Sequence, residues 1–286
     1  MVAVLYAATA GFVFGLMPIA VRRGLRIAPD VMAGTLAQCV LGLAVCGTAA
    51  LALGETGGNV GVFVLLGVLV PGLSTMLLTQ AVRHAGPSRA SVLMNAAPLL
   101  SITIALVLLD EPFHVALVAG AVLVVAGAVS LVGERTRPEH VRTIGLVLAV
   151  LTGVSFAVRD NLVRWLSVDT SVAPQLAGAA TLAGAAAVAL AAIALQPSRG
   201  EWRGRLAVAF PAFAPAGLVL GAAYITMYEA FFRGRVGVVS PLLATAGFWG
   251  VLLPWLFLRN VELVGRRLLL ASVLIVSGGV LIGAFK

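Results

Sequence analysis

Long apolar runs dominate the sequence, and their length restricts the fold more than any other feature. The runs are separated by charged residues, glycine and proline, and the ten of them cover residues 2–21, 31–53, 60–82, 90–109, 114–133, 143–165, 172–195, 206–232, 237–258 and 266–285. An α-helix needs about 20 apolar residues to cross the roughly 30 Å hydrocarbon core of a bilayer. The pattern therefore predicts an all-α, polytopic membrane protein with ten transmembrane helices.

Composition and charge favour the same interpretation and exclude two other classes of protein. Hydrophobic residues make up 61% of the 286 positions and charged residues 10%, against about 25% charged residues in a soluble domain. A soluble surface with so little charge would expose large apolar patches. The net charge of +8 comes from arginines spread between the apolar runs, which is typical of membrane loops and not of a nucleic-acid-binding face. We therefore expect a multi-pass protein of the cell (plasma) membrane, with the lipid bilayer as a partner and no nucleic acid.

The two halves of the sequence resemble each other, with residues 1–133 as a first five-helix repeat and residues 143–286 as a second. Two groups of matching positions, each at a constant offset, are Gly11, Phe14, Val21 and Arg22 with Gly153, Phe156, Val163 and Arg164, and Glu111 and Gly127 with Glu262 and Gly278. Because each repeat has an odd number of spans, the second must be inverted in the membrane relative to the first. Inverted repeats that meet at a midplane cavity are a common architecture of secondary transporters.

A proline-containing helix followed by an acidic junction adds a more specific signal. The stretch Ala97-Pro98-Leu99-Leu100 is followed by Glu111 in Leu109-Asp110-Glu111-Pro112-Phe113, and Gly120 and Gly127 lie seven residues apart in the next run. This combination resembles the fourth-to-fifth helix junction of the EamA-type drug/metabolite transporters, although Arg259-Asn260-Val261-Glu262 replaces the acidic-proline junction in the second half. The resemblance implies ten helices around a cavity and gradient-driven export or exchange of metabolites. It does not imply one substrate, since members move amino acids, sugars, nucleotide derivatives, amines and drugs.

Three ionisable residues inside the apolar runs are the first candidates for a site. Arg159 and Asp160 lie in the sixth run and Glu229 in the eighth, and ionisable groups within a span by default mark a pathway or a buried pair. All three are expected at similar depth, where opposite charges could grip a substrate or couple a proton. The alternative is a structural ion pair near the interface.

Uncharged residues complete the predicted site. Tyr224 and Tyr228 share one helix face at i and i+4, where they line a cavity or belong to an aromatic belt. Gln80 aligns with Glu229 between the halves, and Asn95 and Trp249 lie on helices that the resembled family uses for its cavity; packing between helices is their alternative role. We predict no catalytic residues, no metal site and no cofactor, because the three histidines fall at or near loops without metal-ligand spacing.

The function predicted from the sequence is a secondary active transporter that moves small organic solutes, such as metabolites, amino acids or drugs, by alternating access. A proton is the candidate coupling ion, and the oligomeric state is a monomer or a homodimer. The protein is not expected to be an enzyme. The first alternative is a flippase for lipid-linked substrates, and the second, less favoured, is a membrane-embedded enzyme.

The orientation in the membrane is left open by two opposing signals. Fourteen arginines lie in the loops that follow odd-numbered runs, against three arginines and one lysine on the other side. The positive-inside rule therefore favours both termini outside. The resembled family usually has both termini in the cytoplasm.

Overall fold

The chain is described by a computed structural model for residues 1–94, 119–120, 122–123, 126–127, 142–196, 202–234, 236–257 and 266–284. Within these ranges it is helical and contains no β-strand. The helices are α1 Val2–Ile27, α2 Val31–Ala52, α3 Gly61–Leu69, α4 Pro71–Ala85, α5 Pro87–Met94, α6 Thr143–Val168, α7 Pro174–Ala194, α8 Trp202–Arg233, α9 Val236–Ala244, α10 Ala246–Phe257 and α11 Arg266–Ala284.

The prediction of an all-α membrane protein is confirmed for the described residues. Within the described ranges, six helical segments are long and apolar enough to cross a bilayer, with α3 and α4 together forming one of them. They cover Val2–Ile27, Val31–Ala52, Gly61–Ala85, Thr143–Val168, Pro174–Ala194 and Trp202–Arg233. The fifth predicted run, residues 114–133, lies largely outside the described residues, as do Pro98, Glu111 and Glu262. The count of ten helices and the inverted repeat therefore stay predictions.

Two of the predicted spans are interrupted near their middle. The run at 60–82 divides at Val70, because Pro71 has no N–H for the hydrogen-bond ladder and begins α4 instead. The run at 237–258 divides at Thr245, whose hydroxyl donates to the carbonyl of Leu242 at 2.6 Å. Interruptions inside a span are tolerated where the protein, and not lipid, surrounds the backbone.

The helices alternate between two ends of the bundle. The end that holds Tyr6 and Arg233, which pack together, is called the N-terminal end. The other holds Gly24 and Gly34, both packed against Phe213. It is called the arginine end because most of the described arginines lie there, including Arg22, Arg23, Arg26, Arg83, Arg89, Arg142, Arg203 and Arg205. Accordingly α1 runs toward the arginine end, while α2 and α8 return from it.

Small residues allow the closest helix contacts. A Cβ added at Gly67 would collide with the Thr181 carbonyl oxygen, and one at Gly184 would collide with the Val64 carbonyl oxygen. Close approach of this kind is a usual way for helices to associate in a membrane. Lipid tails are as apolar as the side chains, so close packing replaces the hydrophobic effect as the driving force. The packing of α3 on α7 joins the first half of the chain to the second.

Candidate functional site

A buried ion pair within α6 forms the centre of the candidate site. The Nε and Nη2 atoms of Arg159 donate hydrogen bonds to Oδ1 of Asp160 at 2.9 and 2.7 Å. Arg159 is 3% exposed and Asp160 is 9% exposed. An unpaired charge at this depth would be strongly unfavourable, so each residue stabilises the ionised form of the other.

Aromatic rings from three helices surround the guanidinium of Arg159. Its central carbon lies 4.4 Å from the ring centroid of Phe156 on α6, 5.4 Å from that of Phe14 on α1 and 5.7 Å from that of Tyr224 on α8. A cation within about 6 Å of a ring centroid is attracted by the negative face of the ring. The site therefore combines residues from both halves of the chain.

The two tyrosines of α8 continue the site toward the N-terminal end. Tyr224 and Tyr228 stack with ring centroids 5.8 Å apart, and both are buried inside the bundle. The oxygens of Tyr228 and Thr181 are 2.6 Å apart. Since the Thr181 hydroxyl donates to Ala177, Tyr228 is the donor of this bond. These positions correspond to the bundle interior and not to an aromatic belt that faces lipid headgroups.

Glu229 does not join the Arg159–Asp160 pair. Its Oε1 accepts a hydrogen bond from Gln175 Nε2 at 2.6 Å, and its Oε2 accepts one from Arg233 Nε at 2.5 Å. The expected meeting of all three charges at one depth is therefore not seen. The physical reason is the rise of the helix, since Glu229 lies five residues beyond Tyr224, about 7.5 Å closer to the N-terminal end.

An acidic residue that the sequence did not single out lies close to Glu229. Glu55, in the loop between α2 and α3, accepts a hydrogen bond from the backbone N–H of Leu176 at 3.1 Å. This interaction caps the first turn of α7 with a carboxylate, which the positive end of the helix favours. Partial burial, together with the charge of Glu229, raises the pKa of Glu55 above its ordinary value.

Neither Gln80 nor Trp249 has a hydrogen bond or ring contact with Arg159 or Asp160 among those that the structure shows. Gln80, on α4, is half-buried, and its side-chain carbonyl oxygen has no hydrogen-bond partner within the described ranges. Trp249, on α10, is half-buried and meets the ring of Phe12 edge-on, with centroids 5.1 Å apart. Asn95 lies outside the described residues.

Comparison with known proteins relates the first half of the chain to a family. Residues 1–133 match the model of the EamA-like transporter family. The resemblance noted in the sequence is thereby confirmed for these residues. The matched family is one of membrane transporters of small solutes.

The likeness of this protein to solved structures extends over almost its full length. Sixteen chains of solved structures match it significantly. One, described only as the crystal structure of a protein, is 26% identical over 99% of this chain and 97% of its own, with a TM-score of 0.69. No curated protein matches the sequence at the same level of significance.

The candidate site draws on residues inside and outside the EamA match. Phe14 lies within the matched residues, whereas Arg159, Asp160 and Tyr224 come from the second half. Gln38 of α2 is a further polar residue of the matched half, and it is fully buried. Its Nε2 donates to the Thr79 hydroxyl at 3.3 Å. Its Oε1 has no partner in the part of the chain that the structure describes. Sequence reasoning missed Gln38, Gln175 and Thr181, whose only signal was an uncharged polar side chain in an apolar run.

The side chains that could bind a metal ion are dispersed in the described part of the chain. Among residues 1–94, 142–196, 202–234, 236–257 and 266–284, no group of three or more His, Cys, Asp or Glu residues could hold a metal ion. The site instead presents a guanidinium, carboxylates, hydroxyls and aromatic rings, which recognise organic solutes by charge pairing, hydrogen bonds and ring contacts.

Proposed function

We propose that the chain is a secondary active transporter that moves small organic solutes across the cell membrane by alternating access, in export or exchange. The match of residues 1–133 to the EamA-like transporter family supports a transport function. The observation that carries the proposal is the buried Arg159–Asp160 pair with aromatic rings from both halves around it. Ionisable groups inside a membrane bundle are rare and usually mark solute or ion pathways.

The chemistry of the pair indicates the kind of solute. Arg159 offers donors to an anionic group, and Asp160 offers an acceptor to an ammonium group or a proton. The rings of Phe14, Phe156 and Tyr224 offer an apolar surface beside these charges. A metabolite, amino acid or drug with one or two charged groups and an apolar body fits this combination.

The directions of the helices support two inverted units, residues 1–133 and 143–286. The first helix of each half runs oppositely, since α1 begins at the N-terminal end and α6 begins at the arginine end, where Gly145 packs against His84. The second helices are opposed as well, because Gln196, just after α7, contacts Met32 near the start of α2. Inverted units of this kind rock against each other around a central site.

Contacts between the halves at both ends of the bundle are the proposed gates. At the N-terminal end, Glu55 of the first half accepts from Leu176 of the second. At the arginine end, Arg205 Nε donates to Asp30 Oδ2 at 2.5 Å. Burial disfavours ionisation of Asp30, but the hydrogen bonds from Arg205 and Ala33 outweigh it and hold the pKa of Asp30 below its ordinary value. Alternating access requires one gate to open while the other stays closed.

Transport by purified protein in liposomes tests the proposal. Uptake and efflux of radiolabelled amino acids, amines and cationic or anionic drugs would be measured with and without an imposed pH gradient. We expect gradient-dependent flux of at least one solute class. That flux should be lost in the double variant Arg159→Gln/Asp160→Asn, which removes both buried charges, and retained in Arg23→Gln, a change of an exposed arginine on α1. A flat response across all solutes and gradients, with well-reconstituted protein, would contradict secondary transport.

A further inference from the structure

A second cavity lies at the N-terminal end of the bundle, separate from the Arg159–Asp160 pair. It has a volume of about 300 Å³ and lies between the start of α3 and the end of α6. The side chains that determine its chemistry are Asn59, Phe63, Trp165, Asp169, Thr170 and Ser171. Phe63 forms the inner wall, and its ring centroid lies 6.3 Å from that of Tyr228 and 6.4 Å from that of Phe232.

Asp169 is the one charged residue among the described residues that line this cavity. Asp169 is the C-terminal cap residue of α6, and the last turn of that helix contains no basic residue. The C-terminal end of a helix carries a partial negative charge from its free carbonyl groups, which adds to the carboxylate. Arg164, one turn earlier, points its Nη1 donor at the carbonyl of Phe231 on α8 at 2.9 Å. It is therefore engaged with the α8 backbone.

An aromatic surface lies beside this negative charge. Trp165 is 72% exposed and lines the cavity together with Phe63. Trp165, in the last turn of α6, and Asp169, its C-terminal cap residue, both line this cavity. A ring face next to a carboxylate is the combination that recognises organic ammonium groups, since the ring quadrupole and the carboxylate both attract positive charge.

We propose that this cavity binds a small organic cation, with its ammonium group against Asp169 and the end of α6 and its apolar body against Trp165 and Phe63. The volume accommodates a quaternary ammonium ion that carries one ring. Asn59, Thr170 and Ser171 supply further oxygens at the rim. The site is independent of the proposed transport site, because none of its lining residues belongs to the Arg159–Asp160 cluster.

Calorimetry on the full-length protein in detergent micelles tests the proposal, with benzyltrimethylammonium as the probe. We expect saturable binding that weakens about fivefold in Asp169→Asn and in Trp165→Ala, in the range of a partly exposed cation–aromatic contact. Asp169→Glu, which keeps the charge, should retain affinity. Trp202→Ala is the matched tryptophan control, because Trp202 lies at the arginine end.

A pair of equal-sized probes separates charge from size. Choline should bind, whereas 3,3-dimethylbutan-1-ol, in which carbon replaces the charged nitrogen, should not. Equal binding of the two, unchanged affinity in Asp169→Asn or Trp165→Ala, or no saturable binding to the folded wild-type protein would overturn the proposal. The double variant Arg159→Gln/Asp160→Asn, which leaves no buried charge unpaired, should bind the probe as the wild type does, so failure of the transport proposal and failure of this one remain distinguishable.

Discussion

Phe14 and Phe156 occupy equivalent positions in the two halves of the sequence, and their ring centroids lie 6.5 Å apart. The guanidinium of Arg159 contacts both rings, at 5.4 and 4.4 Å. One buried arginine therefore touches the same position of each proposed repeat. A rocking motion of one half against the other would change this contact directly, which places Arg159 where solute binding and movement of the halves can influence each other.

The hydrogen bond between Tyr228 and Thr181 gives a prediction about stability. Tyr228→Phe removes the donor of a buried bond, so we expect a loss of about 1 kcal/mol in the free energy of unfolding. Tyr6→Phe is the matched control, because the ring contact of Tyr6 with Arg233 does not need the hydroxyl. Thermal unfolding in detergent, followed by tryptophan fluorescence, would compare the two. Equal melting temperatures for both variants would show that the bond contributes nothing.

Substitution by alanine is expected to change the stability in opposite directions at two glycines. Gly184→Ala places a methyl group against the backbone carbonyl of Val64, and such overpacking typically costs about 1–3 kcal/mol. At Gly47, in α2, an added Cβ meets no atom within 4 Å, so Gly47→Ala should stabilise the helix by up to about 1 kcal/mol. Melting temperatures of the two variants, measured side by side, check both the predicted loss and the predicted gain of stability. A Gly184→Ala variant as stable as Gly47→Ala would mean that α3 and α7 pack less closely.

The Asp30–Arg205 gate predicts a dependence of stability on pH. Because the folded-state pKa of Asp30 lies below its unfolded value, the pair stabilises the fold above the unfolded pKa of about 4. This contribution is lost as the pH falls through the lower folded pKa. Asp30→Asn should therefore be less stable than the wild type at pH 7, and the difference should shrink below about pH 4. A difference that stays constant down to pH 3 would contradict the assignment.

The arginine-rich end of the bundle predicts the orientation in the membrane. The positive-inside rule places this end in the cytoplasm and both termini outside. Reporter fusions at each terminus, one type active only in the cytoplasm and the other only outside it, would decide the question. Cytoplasmic activity at both ends would show that the habit of the EamA-type transporters prevails over the local charge.

The sequence predicted well those features that depend on one helix at a time. Length and hydropathy placed the long spans, and the high energy of buried charge predicted that Arg159 and Asp160 would lie inside the bundle. The partners of Glu229 could not be predicted, because Gln175 comes from another helix and only the depth at which α7 begins brings it near. The cap that Glu55 provides to α7 likewise depends on how two loops meet, and loops carry no periodic signal.

Only part of the aromatic surroundings of Arg159 could be predicted from the sequence. Tyr224 was proposed for the site because it shares a helix face with Tyr228. Phe14 and Phe156 were noted as a repeat match, but their contact with the guanidinium depends on helix rotation in the folded bundle. A pattern of apolar residues does not specify that rotation when nearly every face is apolar.

The most direct test of the central claim is the transport rate of the double variant Arg159→Gln/Asp160→Asn, with a solute identified in the liposome screen. Either single change leaves one buried charge unpaired, which typically destabilises by about 3–5 kcal/mol, whereas the double change removes both charges and should preserve folding. Arg23→Gln/Arg26→Gln, which alters two exposed charges on α1, is the matched control. We predict that the double variant elutes as folded protein but transports at the background rate, while the control transports normally. Transport at the wild-type rate by an equal amount of the reconstituted double variant would contradict the role of this pair.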